Sequence, residues 1–259
     1  MKRIYFGFLT FLLFPVVILA QIGPNSPNDF EIANSSLGGV VITGYIGTRQ
    51  NVVIPDTIDG FRVTEIGSGA FRRVSHGNNG VTRFHTEITS IILPNTLIEI
   101  GFRAFYRQSL TSISFPNSLR KISSEAFLGN RFSSIVIPNG ITYIGNYAFS
   151  QIVEYRSGNP DRPIASVEES ILTSIVIPPS LINYRWLEIG IEGNAFSNVS
   201  INRQEQVWLQ KDGPDITRVT LPANMNYLNF LPVSLSNAYN GNSKRAGTYI
   251  WNGRLWVVQ

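Results

Sequence analysis

The sequence predicts a solenoid, a stack of short coils rich in β-strand, because one motif recurs at a fixed period with a strand-like pattern. Three segments between residues 88 and 149 carry nearly the same text: ITSIILPNTLIEIGFRAF, LTSISFPNSLRKISSEAF and FSSIVIPNGITYIGNYAF. Each ends on an Ala-Phe pair, and these pairs lie 22 residues apart. A fixed period in the twenties is typical of a solenoid.

The first half of each repeat has the pattern of a short strand. Apolar residues stand six, three and one positions before a proline. The last two alternate with their neighbours, which is the period of a strand with one buried face. The proline ends the strand because it has no amide hydrogen for a ladder. The inward residues are Ile88, Ile91 and Leu93; Leu110, Ile113 and Phe115; and Phe132, Ile135 and Ile137.

The second half of each repeat returns through two apolar residues spaced by three, such as Leu97 and Ile100. This spacing fits a short second strand or a tight helical turn, and periodicity leaves both open. The Ala-Phe pair then closes the coil, with a small residue beside a ring that fills its centre. We expect the rings to form a ladder of Phe71, Phe105, Phe127, Phe149, Phe196 and Tyr239.

The amino-terminal 51 residues divide into a leader and a cap. Residues 1–20 have a basic start, a long apolar run and a small residue at Ala20, which predicts a secretory signal peptide cleaved there. The alternative is an uncleaved membrane anchor, for which the apolar run is at the lower limit of length. Residues 21–51 begin with a flexible IGPNSPN segment and continue with strand-like runs that we interpret as an N-terminal β cap.

The repeat array is predicted over residues 52–239, with insertions at 72–87, 150–171 and 197–215. The first insertion holds both histidines, His76 and His85, which could form an acid-base or metal pair but lack a third ligand at a recognisable spacing. In the repeat after the second insertion, either Ile189 or Ile191 could take the inward place of Ile144. Residues 240–259 place Asn252-Gly253 between TYIW and RLWVV, a hairpin signal that predicts a C-terminal β cap.

Composition excludes several classes of function. Charged residues make up 15% of the chain, against an average of about 25%. The net charge of +4 includes Lys2 and Arg3 of the leader, so the balance is too weak to indicate nucleic-acid binding. The absence of cysteine excludes disulfides, thiolate metal sites and thiol catalysis. We expect no metal and no other cofactor.

The repeated unit, L-T-S-I-x-I-P-x-x-L-x-x-I-G-x-x-A-F, resembles the BspA-type leucine-rich repeat family of bacterial surface and secreted proteins. The resemblance covers residues 52–239 in about six copies. It implies a right-handed, strand-rich leucine-rich-repeat solenoid with β caps at both ends. It also implies a non-enzymatic binding or adhesion protein that meets a protein partner, from the host or the cell envelope, through its strand-lined face. The family has no catalytic residues to transfer.

Alternation identifies the outward positions of that face. The two rows are Ser90, Ser112, Ser134, Ser174 and Arg218, four positions before each proline or its equivalent, and Ile92, Ser114, Val136, Val176 and Thr220, two positions before it. We interpret them as the partner-binding residues, together with the insertions at 72–87 and 150–171. β-Branched residues also favour strands for their own sake, and duplication of a template could repeat the serines without a function.

Three other functions compete with protein binding. A structural envelope protein would pack against copies of itself. A glycan-binding protein could use the aromatic residues of the C-terminal hairpin. An exported hydrolase would need a nucleophile with a base or a carboxylate pair, and the sequence offers only the adjacent Glu168 and Glu169 and no Gly-x-Ser-x-Gly elbow. If the leader is cleaved, we expect no stable membrane span and a protein exported to the periplasm, the cell surface or the medium.

Overall fold

A computed structural model describes residues 23–72, 86–150, 172–181, 190–191, 199–201, 207–209, 218–221, 233–251 and 256–259. The expected signal peptide, both histidines, Glu168, Glu169 and nearly all of the first two insertions lie outside these residues. In chain order the strands and the α-helix are β1 (Phe30–Asn34), β2 (Val40–Tyr45), β3 (Asn51–Val53), β4 (Thr57–Ile58), β5 (Phe61–Ile66), β6 (Ser90–Ile92), β7 (Glu99–Ile100), β8 (Lys121–Ile122), β9 (Ser134–Val136), β10 (Tyr143–Ile144), β11 (Ser174–Val176), β12 (Gly190–Ile191), β13 (Val199–Ile201), β14 (Val207–Leu209), β15 (Arg218–Leu221), α1 (Val233–Gly241), β16 (Gly247–Trp251) and β17 (Trp256–Val258).

The second halves of the repeats form one parallel ladder. Strands β5, β7, β8, β10 and β12 pair side by side in the same direction. The question that periodicity left open is therefore settled in favour of short strands. In β12, Ile191 lies opposite Ile144, so Ile191 rather than Ile189 holds the equivalent place.

The first halves of the repeats pair in two separate groups. Strand β3 pairs with β6, while β9, β11 and β15 form a second parallel ladder that continues into the antiparallel β16 and β17. Between the two groups, residues 110–116 are described but are not a strand. The prediction that Ser112 and Ser114 lie on a strand was therefore wrong, because the main chain of this segment forms no ladder.

A larger side chain accompanies this break. Phe115 stands where the neighbouring repeats have Leu93 and Ile137, and its ring packs edge-on against Phe127 and Phe149, with centroids 5.8 and 6.0 Å away. The break coincides with this ring, which is the largest side chain at the inward position directly before the proline in these three repeats.

A column of stacked rings fills the centre of the coils. Phe71, Phe105, Phe127 and Phe149 follow one another with centroids 4.9, 5.0 and 5.4 Å apart and ring planes within 20° of parallel. This confirms the predicted ladder over four rungs. Tyr45 continues it, stacked 5.4 Å from Phe71.

The last two rungs of the predicted ladder have different outcomes. Phe196 lies outside the described residues. Tyr239 is buried but belongs to helix α1, where its ring meets Tyr249 edge-on at 5.6 Å. Sequence analysis did not anticipate a helix at this position. Five of the nine residues in VSLSNAYNG are serine, asparagine or glycine, which have low helix propensity, so the sequence did not predict a helix.

Buried amides join the coils beside the ring column. The Asn130 side chain accepts a hydrogen bond from the Leu110 amide at 3.1 Å and donates to the Phe105 and Phe127 carbonyls at 2.8 Å. Gln108 repeats the arrangement one coil earlier, accepting from the Ile88 amide at 2.7 Å and donating to the Phe71 carbonyl. These amides satisfy main-chain groups that the turns leave without a ladder partner.

Antiparallel pairs flank the ladders. At the amino-terminal side, β1 pairs antiparallel with β2, and β2 joins the second-half ladder by pairing in parallel with β5. Asn25 pairs with the edge of β3. Its main-chain amide donates to the Val53 carbonyl at 2.9 Å, and its side-chain Oδ1 accepts from the Val53 amide at 2.8 Å. At the other side, β16 and β17 form the hairpin that the sequence predicts. The third insertion contains an antiparallel pair, β13 with β14, that sequence analysis did not anticipate.

Candidate functional site

The candidate site is the outer surface of the first-half strands, which we call the strand face. It comprises the outward side chains of β3, β6, β9, β11 and β15 with those of the segment 110–116. Parallel pairing without a shift of register places equivalent residues side by side. Ser134 therefore lies opposite Ser174, which lies opposite Arg218, and Val136, Val176 and Thr220 form the next row.

Alternation determines which side chains reach solvent. Ile92 and Val136 are each 61% exposed, whereas their neighbours Ile91 and Ile135 are 7% and 1% exposed. Both exposed residues are large and apolar. Their contact with water is unfavourable, and a partner that covers them would remove this cost. Exposed apolar side chains that recur at the same position of a regular array indicate a contact surface.

The ten predicted residues differ in accessibility. Ser90, Ile92, Ser112, Ser114, Ser134, Val136 and Arg218 are exposed, whereas Ser174, Val176 and Thr220 are half-buried. Strand β11 is paired on both sides, by β9 and β15, which reduces the exposure of its side chains. Ser112 and Ser114 keep their outward placement although their segment is not a strand.

The strand face begins one strand earlier than sequence analysis placed it. Asn51 lies opposite Ser90, and Val53 lies opposite Ile92. The Asn51 Oδ1 accepts hydrogen bonds from the hydroxyls of Ser90, at 2.8 Å, and Thr89, at 3.1 Å. The spacing rule would have found Asn51 and Val53, since they stand four and two positions before Pro55. Because Ser90 already donates to Asn51, its hydroxyl is less available to a partner than that of Ser134.

Charge separates the strand face from the opposite ladder. The segments 88–94, 110–116, 132–138 and 172–178 contain no Asp, Glu, Lys or Arg, and the rows reach their first charged residue at Arg218. On the opposite ladder, Lys121 forms an ion pair with Glu99 at 2.9 Å and lies 5.9 Å from the ring centroid of Tyr143. The cores of protein interfaces are depleted of charged residues, so the strand face is the better candidate for a buried contact.

The chemistry of the strand face is that of binding. Its hydroxyls donate and accept hydrogen bonds, and its β-branched side chains supply apolar area, while Arg218 is the one ionisable member of the ten predicted residues. Among the residues that the structure describes, no three His, Asp or Glu side chains converge as metal ligands. In strand β2, burial raises the pKa of the Tyr45 phenol, whose hydrogen bonds with Arg49 and Asn25 oppose the shift.

Comparison with protein families gives one match. Residues 83–202 match the BspA type Leucine rich repeat region in six copies, which confirms the resemblance over a shorter stretch than the 52–239 that the motif suggested. No curated protein sequence matches the chain significantly. Among the described residues, no helix combines the length and apolar character needed to cross a membrane.

Three solved structures are similar to the chain. A leucine-rich repeat protein of T. pallidum, TpLRR, is 26% identical, with 62% of this chain and 74% of that chain covered and a TM-score of 0.41. A leucine-rich repeat protein of Bacteroides capillosus is 24% identical, with coverages of 44% and 80% and a TM-score of 0.36. One of Bacteroides ovatus is 20% identical, with coverages of 67% and 54% and a TM-score of 0.34.

Proposed function

Residues 83–202 belong to the BspA-type leucine-rich repeat family, and on that premise we propose that this protein is a non-enzymatic binding module that recognises a protein partner through the strand face. The observation that carries the proposal is that segments 88–94, 110–116, 132–138 and 172–178 of the strand face carry no charged residue, while Ile92 and Val136 stand 61% exposed on it. A protein partner can cover such side chains with apolar area of its own and satisfy the hydroxyls between them.

The proposal includes a solenoid with a cap at each end. The two parallel ladders and the ring column support a stack of coils over residues 52–239. The β1–β2 pair with Asn25 supports an N-terminal cap within residues 21–51, and the β16–β17 hairpin supports a C-terminal cap within 240–259. In such a stack the strand face is a single strip, and its strand pairing is interrupted at residues 110–116.

We further place the protein outside the cytoplasm. The basic, apolar segment 1–20 with Ala20 at its end supports export through a cleaved signal peptide. A chain without cysteine needs no oxidative folding after export, and its coils are stabilised by ring stacking and buried amides instead. The partner would then belong to the envelope or to a host surface.

Site-specific photo-crosslinking tests the proposal. A photoreactive side chain replaces Ser134 on the strand face, and a control probe replaces Asn146 on the opposite side. We expect a defined protein adduct from the Ser134 probe alone, and we expect Val136→Asp to remove that adduct. Adducts from both probes, or from neither, would contradict the assignment of the face.

Stability measurements make this test specific. Val136→Asp alters a 61% exposed side chain, so its melting temperature should stay close to that of the original protein, since surface changes cost within about 0.5 kcal/mol. Ser68→Asp, at an exposed position of the turn side, is the matched control and should leave the adduct intact. If Val136→Asp melted early, the loss of binding would reflect unfolding and the face would have to be probed at Ser134 instead.

Self-association is a second candidate. Strand β17 lies at the edge of its sheet, and its Val257 and Val258 are 39% and 43% exposed. Edge strands with exposed apolar residues tend to pair with other chains. Molar mass measured in solution over a range of concentrations distinguishes the two candidates, because a binding module stays monomeric in the absence of its partner.

A further inference from the structure

The strand face continues beyond the repeats onto the C-terminal hairpin. Ile250 of β16 lies opposite Arg218, and Val257 of β17 lies opposite Ile250. Opposite residues of paired strands point to the same side of a sheet, so these two side chains extend the row of Ser134, Ser174 and Arg218. Ile250 is half-buried and Val257 is 39% exposed. The hairpin therefore adds apolar area to the strand face.

Arg218 is an isolated cation on this surface. Its side chain is exposed, and it has no ion pair or side-chain hydrogen bond with any residue that the structure describes. Its neighbours in the row, Ser174 and Ile250, are uncharged. No Asp or Glu occurs in the strands of the strand face or in those of the hairpin. Water therefore solvates this guanidinium in the free protein.

A partner that covers the strand face would remove this water. A charge that leaves water without an opposite charge is strongly disfavoured, so the partner has to bring an anion to Arg218. A carboxylate suits the guanidinium, because the planar fork of N–H donors matches its two oxygens. Ser174 lies beside Arg218 on the neighbouring strand, about 4.8 Å away. One carboxylate can therefore accept hydrogen bonds from both side chains.

We propose that the partner presents a segment in which one aspartate or glutamate stands between apolar residues, and that Arg218 selects this segment. The inference rests on the proposed function, because it requires the strand face to be the binding surface. Val136 and Val257 lie two strands from Arg218 on either side, and they are 61% and 39% exposed. Apolar side chains that flank the acid can cover both valines while the acid pairs with the arginine.

Two other occupants fit this surface less well. A second copy of the chain has no carboxylate in the strands of its own strand face, so face-to-face pairing would leave both Arg218 side chains without an anion. An acidic glycan offers little apolar area to Val136 and Val257. In addition, Tyr249 and Trp256 of the hairpin are buried, so neither ring can stack on a sugar.

Selection from a random peptide library displayed on phage tests the proposal. The original protein, Arg218→Glu and Arg62→Glu are immobilised side by side. Arg62 is the matched control, because it is an exposed arginine of β5, outside the strand face. We expect peptides selected by the original protein and by Arg62→Glu to carry one acidic residue between apolar residues. Arg218→Glu should select lysine or arginine at that place instead.

Binding of a selected peptide then gives the magnitude. In fluorescence anisotropy, replacement of its acidic residue by the corresponding amide should weaken binding to the original protein about tenfold. Arg218→Gln should weaken binding of the unaltered peptide by a similar factor. Because the Arg218 side chain is exposed, both variants at this position should melt at the temperature of the original protein.

The outcomes distinguish this inference from the proposed function. Selected peptides that lose binding to Val136→Asp but carry no acidic residue, or that bind Arg218→Gln unchanged, would leave the strand face as the binding surface and overturn the role of Arg218. Peptides that bind Val136→Asp unchanged, or no enrichment at all, would overturn both. Displacement of the peptide by hyaluronate at an equal concentration of carboxylate groups would assign the site to an acidic glycan and would overturn the peptide segment.

Discussion

Truncation of the central ring Phe127 to alanine should be among the most damaging single changes in the protein. Phe127 is fully buried and stacks on Phe105 and Phe149, while Phe115 and Phe132 meet it edge-on at 5.8 and 5.9 Å. Removing a buried phenylalanine costs about 3–5 kcal/mol. Four aromatic neighbours, each worth about 0.5–1.5 kcal/mol beyond burial, place the expected loss in the upper half of that range.

Urea unfolding followed by far-UV circular dichroism measures this loss. With a denaturant dependence of about 2–3 kcal/mol/M, a loss of about 4 kcal/mol lowers the midpoint by about 1.3–2 M. Phe61→Ala is the matched control, because its ring is 60% exposed and its removal should cost less than about 1 kcal/mol. Similar losses for Phe127 and Phe61, or a loss below about 1.5 kcal/mol at Phe127, would refute the ring column as the core of the array.

Three further changes test other parts of the structure. Asn130→Ala removes the side-chain partner of the buried Leu110 amide and Phe105 carbonyl, while the Phe127 carbonyl still accepts from the main-chain amide of residue 130. This change should cost about 2–4 kcal/mol in urea unfolding, whereas Asn117→Ala, at an exposed position, should be neutral. Gly101→Ala brings its new methyl group within 2.9 Å of neighbouring main-chain atoms and should cost about 1–3 kcal/mol, unlike Gly23→Ala, which meets nothing within 4 Å. Burial raises the pKa of Tyr45, so the folded state holds the phenolic proton more tightly than the unfolded chain does. The free energy of unfolding should therefore fall as the pH rises above about 10, and Tyr45→Phe should flatten that fall.

The repeat pattern predicted the interior of the array well because inward positions recur with a strict spacing. Ile88, Leu97, Ile100 and Phe105 are buried as expected, and only Ile113 among the first-half inward residues is merely half-buried. Helix α1 was missed because a short helix rich in serine and asparagine has little propensity signal and depends on the packing of Leu235 and Tyr239. The contacts that decide its formation come from β17, a strand more than ten residues further along the chain.

The outward positions of the strand face could be predicted because alternation follows directly from strand geometry. The break at residues 110–116 could not be foreseen, since its sequence LTSISFP differs little from that of strands that do pair.

The joint beside the ring column is chemically the same at three successive steps. The amides of Phe71, Phe105 and Phe127 donate to the carbonyls of Ala104, Ala126 and Ala148, at 2.7–2.8 Å. At this joint, each of these coils offers its neighbour the same main-chain groups. Duplication or deletion of 22 codons can lengthen or shorten such an array without altering what either terminus must recognise, so the length of the array can evolve independently of its ends.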